Sequence, residues 1–171
     1  MLLPIITYPD KLLKSISKEV TLFDEQLHAT LDNMFDTMME SNGIGLAAIQ
    51  VALPLRLLIL CIPDDAGEQT KEGLLEILNP TISNTQGTTT YQEGCLSVPG
   101  FYEDIERFET LTLTYQNRHG EQCTLEADGL LAIAIQHEMD HLNGKLFIEK
   151  LTYNRRKKFE KEFKRALKEK K

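Results

Sequence analysis

The chain has 171 residues, of which 42% are hydrophobic and 26% charged, and a formal net charge of −7. That length and balance predict one domain over residues 1–171 with a sizeable core, and they exclude a disordered chain. The charge is uneven: from residue 155 onward there are ten Lys/Arg and three Glu, so a +7 tail follows a −14 body and could approach an anionic surface.

The first ten residues, MLLPIITYPD, have no basic stretch and carry prolines at 4 and 9, which argues against a signal peptide. Pro9-Asp10 can open a short helix over Lys11 to Lys14. A stronger helix is expected over residues 24–41, where Leu27, Leu31, Met34, Phe35 and Met38 follow helical spacing and Asn42-Gly43 stops it. The small-residue stretch GIGLAAIQ follows. Residues 55–62, LRLLILCI, read as a buried strand, broken by PDDAG. The acidic loop through Lys71 should be exposed.

Residues 74–78, 81–85 and 88–92 read as three further strands, with Asn79-Pro80 and Gly87 as punctuation. Residues 111–115 alternate with threonine, and Asn117-Arg118-His119-Gly120 turns the chain into residues 122–125, a hairpin. A helix follows within residues 127–144, then a short strand near 146–148. Thr152 can cap a last, basic helix within residues 151–171, in which Phe159, Phe163 and Leu167 recur every fourth residue. Strands come in consecutive runs, not in βαβ alternation. The expected class is α+β, with antiparallel sheets packed around the central helix of residues 127–144 and a C-terminal helix.

Three cysteines, Cys61, Cys95 and Cys123, form no disulfide framework, and their odd number argues for a reducing compartment. No apolar run approaches membrane-spanning length, so a cytoplasmic location is expected and no membrane partner.

Three stretches carry chemistry. The first is ADGLLAIAIQHEMDHLNG, whose His137-Glu138-Met139-Asp140-His141 matches H-E-x-x-H. On a helix, i and i+4 share a face, so both imidazoles can reach one divalent metal, and Glu138 projects beside them as a base would. Asp128 is a candidate N-cap and Asn143-Gly144 a C-terminal stop. Leu130, Leu131, Ile133, Ala134 and Ile135 make the helix apolar nearly all round, hence central. A buried helix with two His, one Glu and one Asp needs a reason, because unpaired buried polar groups are costly.

A catalytic metal needs a third protein ligand and an open position. Cys95, His28, His119 and the carboxylates are candidates. Cys95 stands out within EGCLSVP, where Gly94 permits a close approach and Pro99-Gly100 turns the chain. Cys61 and Cys123 sit in an apolar run and a hairpin strand, where cysteine is usually inert. His119 lies in a turn and His28 on an amphipathic helix, both surface positions. In GIGLAAIQ, Gly43, Gly45, Ala47 and Ala48 leave a backbone that a ligand can approach, and the amide of Gln50 can donate to a carbonyl oxygen. Close packing alone would also account for that stretch.

GIGLAAIQ, EGCLSVP and QHEMDHLNG, in this order and at these separations, resemble the three signature motifs of the bacterial peptide deformylases. The resemblance runs from TYPD through the basic C-terminal helix. It implies an enzyme that removes the formyl group from N-formylmethionine at the start of new polypeptides, releasing formate. Carried over, Cys95, His137 and His141 are the metal ligands, with one position left open. Glu138 is general base and acid. Gln50 and the backbone N–H of Leu96 hold the formyl oxygen, and Gly45 lines the site by its backbone. The metal is expected to be Fe²⁺ in the cell, with Zn²⁺ or Ni²⁺ able to replace it. Ile44, Leu130, Ile133, Ala134 and the ring of His137 are expected to line the methionine pocket. Peptide backbone beyond it pairs alongside Gly43 to Gly45 and the residues near Glu93.

Two departures stand out. Many relatives have Cys where Ala134 stands, and many have Arg where this chain has Tyr102. Arg107 resembles a second family arginine and is expected to be structural. The basic helix resembles one that docks on the ribosome in relatives, and a monomer is expected. The alternatives are a zinc peptidase of the H-E-x-x-H type, against which the cysteine ligand argues, and a silent ribosome-binding metalloprotein, against which Glu138 and Gln50 argue.

Overall fold

A strand covered by helices on both faces must be apolar on both, and LLILC is. In the computed structural model, which describes residues 1–169, all five side chains of β2 (Leu57–Cys61) are buried. Leu57, Ile59 and Cys61 pack with Leu27, Leu31, Met34 and Met38 of α1 (Glu25–Glu40). Leu58 and Leu60 pack with Ala132, Ile135, Met139 and Leu142 of α2 (Gly129–Leu142). Side-chain alternation along this one strand thus joins the two helices through the sheet.

β2 is second in a five-stranded antiparallel sheet. Its sheet order follows the chain: β1 (Gly45–Ala47), β2, β3 (Leu74–Cys95), β4 (Val98–Gln116) and β5 (Gln122–Asp128). The α+β class holds, with the strands joined in one sheet. The helix expected over residues 24–41 is α1. The Asp24 carboxylate accepts the Leu27 N–H at 3.0 Å, and Asn42 leaves the helix with φ +58°. The short turn at Lys11–Lys14 is a 3₁₀ helix.

Three expectations are corrected. The separate strands at 74–78, 81–85 and 88–92 are one, β3. Asn79 and Gly87 are not breaks: β3 keeps its pairing with β4 past both, with register shifts between Leu78 and Thr81 and between Ser83 and Gln86. Asn79 and Asn84 both have φ +49°, a left-handed conformation that asparagine tolerates and bulges use. The chain reverses at Leu96–Ser97, with Cys95 paired to Val98, and Pro99-Gly100 lies within β4. Residues 146–148 are no strand; a 3₁₀ turn runs over Phe147–Lys150, and Phe147 and Ile148 are buried in it.

The chain passes from β5 straight into α2 at Gly129, with φ +54°. Asp128 holds the N-cap position but its side chain makes no capping bond; Asn143 ends the helix and Gly144 follows with φ +75°. α3 (Tyr153–Glu169) is held by aromatic packing: Phe159 meets Phe101 and Phe163 meets Tyr8, each at 4.9 Å between ring centroids. Leu167, though in phase with them, is exposed. Lys170 and Lys171, the end of the basic tail, lie outside the described residues.

Candidate active site

α2 enters the core carrying His137, Glu138 and His141, all buried. Cys95 reaches them from the last position of β3, at the tip of the hairpin. Its Sγ lies 3.3 Å from His141 Nε2. One donor atom from each of Cys95, His137 and His141 lies within 4.8 Å of the others, and no other trio of metal-binding side chains converges this way among the described residues. His28 and His119 pair with each other instead, at 5.3 Å between rings.

The surroundings fit a divalent ion. A thiol and two imidazoles are a common ligand set for zinc and related ions, and such sites orient their histidines through an outer carboxylate. Here His137 Nδ1 lies 2.8 Å from Glu93 Oε1, leaving Nε2 for the centre. Burial, together with positive His137 and Arg107, holds His141 well below the usual histidine range, in the neutral form that can ligate. For His137, burial acts downward, but bonding to Cys95 and Glu93 outweighs it and raises the ring's proton affinity.

Behind this group stands a buried ionic clamp. Arg107 grips Glu93 with two parallel bonds, Nε to Oε2 at 2.7 Å and Nη2 to Oε1 at 2.8 Å, and donates from Nη1 to Asp140 Oδ2 at 2.7 Å. Burial would raise the Glu93 carboxyl, yet Arg107 and His137 hold it below the usual carboxylate range. One guanidinium therefore ties the β3 residue that orients His137 to the α2 residue that precedes His141.

Glu138 is different. Its Oε2 is buried and has no hydrogen-bond partner among the described residues. Burial is the main cause pushing its carboxyl up to about 7; Glu93 and Asp140 add to the shift, while His137 and Arg107 oppose it. A group poised there exchanges a proton readily at neutral pH. Gly45 makes room for it: a Cβ at Gly45 would come within 3.1 Å of Glu138 Oε1 and 2.7 Å of Leu60 Cδ2.

Gln50 is held end to end. Its Oε1 accepts the Ala47 N–H at 2.9 Å, and its Nε2 donates to Ser97 Oγ at 3.1 Å and lies 3.6 Å from Cys95 Sγ. The carbonyl end being occupied, the NH₂ end must face the thiol.

These groups open onto a cavity of about 490 Å³ lined by Ile44, Gly45, Gln50, Cys95, Leu96, Leu130, Ile133, Ala134, His137 and Glu138. Glu93 also borders it, with its carboxylate turned into the protein, to Arg107 and His137. The sequence reading missed Ser97 and the joint role of Asp140 and Arg107. Asp140 carried a usable signal, since a carboxylate three residues after His137 on a buried helix requires a cation.

Such a centre, with an apolar cavity beside it, defines a metal-dependent hydrolase. A sequence model of the polypeptide deformylase family matches residues 2–157. The peptide deformylase of Helicobacter pylori (strain Shi470) is 61% identical over 163 residues, 95% of this chain and 93% of that one. The crystal structure of a peptide deformylase from Legionella pneumophila superposes with a TM-score of 0.88 at 39% identity, covering 98% of each chain. A Met-Ala-Ser-bound crystal structure of the Acinetobacter baumannii enzyme, a class I type b peptide deformylase, matches with a TM-score of 0.81 at 33% identity, covering 88% of this chain and 99% of that one. The chain belongs to the peptide deformylases: it is a metalloenzyme that removes the formyl group from nascent peptides. The zinc-peptidase alternative finds no support in these relatives.

Proposed function

We propose that Cys95, His137 and His141 hold one divalent ion and that Glu138 moves the protons of deformylation. The observation that carries this reading is the convergence of one thiol and two imidazoles beside a buried carboxylate with a free oxygen. An ion bound there supplies Lewis acidity, acidifying water and polarising a carbonyl. Glu138 takes the proton of the attacking water at its free Oε2 and returns it to the amine as the formamide bond breaks, so that formate and a free N-terminus leave. Gln50 Nε2 donates to the formyl oxygen as negative charge grows on it, with the Leu96 N–H as second donor; each such donor is worth about 2.7–4 kcal/mol of barrier. Gly45 contributes backbone close to Glu138.

The methionine side chain enters the apolar wall of Ile44, Leu130, Ile133 and Ala134 and the ring of His137. Glu93 supports the pocket from behind by holding that ring. The ion in the cell is Fe²⁺, with Zn²⁺ and Ni²⁺ as substitutes; this rests on the resemblance of the three motifs, since a thiol with two imidazoles suits several divalent ions. Protein purified without oxygen should release formate from formyl-Met-Ala-Ser and carry about one iron per chain. Formate release with no bound metal, or no release from the metal-loaded protein, would overturn the assignment.

We further read residues 1–171 as one working unit, since the buried cluster around Phe159 joins α3 to Val98 and Ile105 beside the site. The outer face of α3 presents Lys157, Lys158, Lys161 and Lys164, which favours ribosomal RNA or protein as a contact. Replacing Lys157, Lys158, Lys161 and Lys164 by Glu, which leaves Phe159 and Phe163 in place, should abolish co-sedimentation with ribosomes at low salt; unchanged co-sedimentation would remove this reading. We take the protein to be a monomer in the cytoplasm; its three free cysteines favour a reducing compartment.

A further inference from the structure

β1 is the outer strand of the sheet, and Gly43, Ile44 and Gly45 at its start line the cavity. Ile44 stands opposite Cys61, one step beyond the Gly45–Leu60 pair, and its carbonyl accepts the Cys61 N–H at 2.8 Å. In a regular antiparallel pair the Ile44 N–H would donate back to the Cys61 carbonyl. Here it does not: the Ile44 N–H makes no bond among the described residues, and Cys61 O is taken by a side chain.

That side chain is Gln69, from the loop that follows β2. Its Nε2 donates to the Cys61 carbonyl at 2.8 Å and to the Gly43 carbonyl at 2.9 Å, so both amide hydrogens are used. The two ends of a trans peptide group point opposite ways. With the Gly43 carbonyl turned to Gln69 at the end of β2, the Ile44 N–H points away from β2, to the cavity side. The Gly43 N–H closes α1 on the Met38 carbonyl at 3.0 Å and exerts no hold on the peptide group that follows.

The loop is built to deliver this amide. Pro63 has no N–H with which to extend the ladder. Asp64 Oδ1 accepts the Ala66 and Glu68 N–H groups, each at 2.9 Å, and the Asp64 N–H donates to the Glu68 carbonyl at 2.9 Å. That closed turn brings the chain back to β2, where Cys61 Sγ donates to the Thr70 carbonyl at 3.3 Å. Residues 64–68 and Thr70 are exposed, and Gln69 between them is half-buried. A bond to Cys61 alone would close the loop; the second bond, to Gly43, reaches the wall of the cavity.

We propose that Gln69 is a positioning residue for deformylation: by holding the Gly43 and Cys61 carbonyls together it keeps the Ile44 N–H turned to the cavity, as a donor for a main-chain carbonyl of the formylated peptide. The inference rests on the assignment of the site above. Without Gln69, the Gly43–Ile44 peptide group can rotate and the Ile44 N–H can close the ladder on Cys61, which removes the donor before substrate arrives. The groups that do the chemistry are held by other means. Gln50 is fixed by Ala47 and Ser97, and His137, Glu138 and His141 are carried by α2. Loss of Gln69 therefore weakens binding and spares turnover.

The test is kcat and KM for formyl-Met-Ala-Ser on metal-loaded enzyme. Gln69→Ala and Gln69→Glu should each raise KM about five- to tenfold, the worth of one hydrogen bond, and change kcat less than about twofold. Gln69→Glu is the sharper variant, because a carboxylate of the same shape sets oxygen against both carbonyl oxygens. Gln69→Lys, whose ammonium can donate to both, should keep KM within about twofold of the unaltered enzyme. Glu68→Gln, at an exposed neighbour, should change neither constant. Thermal denaturation checks that each variant folds, and Gln69→Glu carries the test where Gln69→Ala does not. A KM unmoved by the donor-removing variants, a kcat that falls in step with the rise in KM, or a Lys variant no better than Glu would overturn the proposal. Absence of formate from the unaltered enzyme is a different result: it overturns the site assignment and the proposal with it.

Discussion

Glu138→Ala should lower kcat by about 10²–10⁴-fold while leaving the metal bound, which corresponds to about 3–5 kcal/mol of lost barrier reduction. The size follows from the lack of a substitute. Glu93 has both oxygens on Arg107 and His137, and Asp140 is bonded to the same guanidinium. Neither can swing to the cavity without breaking the clamp. Of the three, Glu138 is the one with a fully buried oxygen that has no hydrogen-bond partner among the described residues, and burial sets its proton affinity near neutral. Glu138→Gln should lose as much, because the amide fills the same space without a proton to exchange. Formate release at saturating formyl-Met-Ala-Ser, with metal content measured on the same sample, separates loss of the base from loss of the ion. Turnover within a few-fold of the unaltered enzyme would sink the role.

Arg107→Leu should destabilise the protein by about 3–5 kcal/mol, because it leaves the buried Glu93 carboxylate without its guanidinium and breaks the tie to Asp140. For a chain of this length that lowers Tm by on the order of 10 °C. The side chains of Arg107 and Glu93 are 3% and 4% exposed, so water cannot replace the lost partner. The second consequence concerns the metal. Glu93 orients His137, and Arg107 orients Glu93, so metal affinity should fall about 10–100-fold, as it does when outer-shell partners are removed. Thermal denaturation of the chelator-treated protein reads the first effect, and chelator competition reads the second. Arg107→Lys should recover part of the stability and less of the metal affinity, because an ammonium cannot reproduce the two parallel bonds to Glu93. Stability within 0.5 kcal/mol of the parent, roughly the scatter of neutral surface changes, would mean that the clamp is not under load.

Much of the site was legible along the chain because its key geometry is local. Two histidines four apart share a helix face whatever the rest of the molecule does. The apolar run before them announced a buried helix, and the spacing of Leu27, Leu31, Met34 and Met38 announced α1. Where the sequence reading failed, partners far along the chain decided the outcome. Asn79-Pro80 and Gly87 look like strand ends because left-handed residues commonly are; Gln116 and Phe108, met only after the hairpin closes, keep β3 paired around them. The reversal sits at Leu96–Ser97 and not at Pro99-Gly100 because register with β4, and not turn preference, fixes the tip.

Glu93 shows the same division. Strand alternation places it on one face or the other, but Arg107, fourteen residues away on β4, and His137 on α2 settle that its carboxylate faces inward. The sequence by itself determined the helix carrying two imidazoles and a glutamate, and the acidic body with its basic end. It was tertiary structure that brought the thiol to the imidazoles, left one carboxylate oxygen free and clamped the other two. Periodicity acts over a few residues, whereas burial and charge pairing are settled when the whole chain packs.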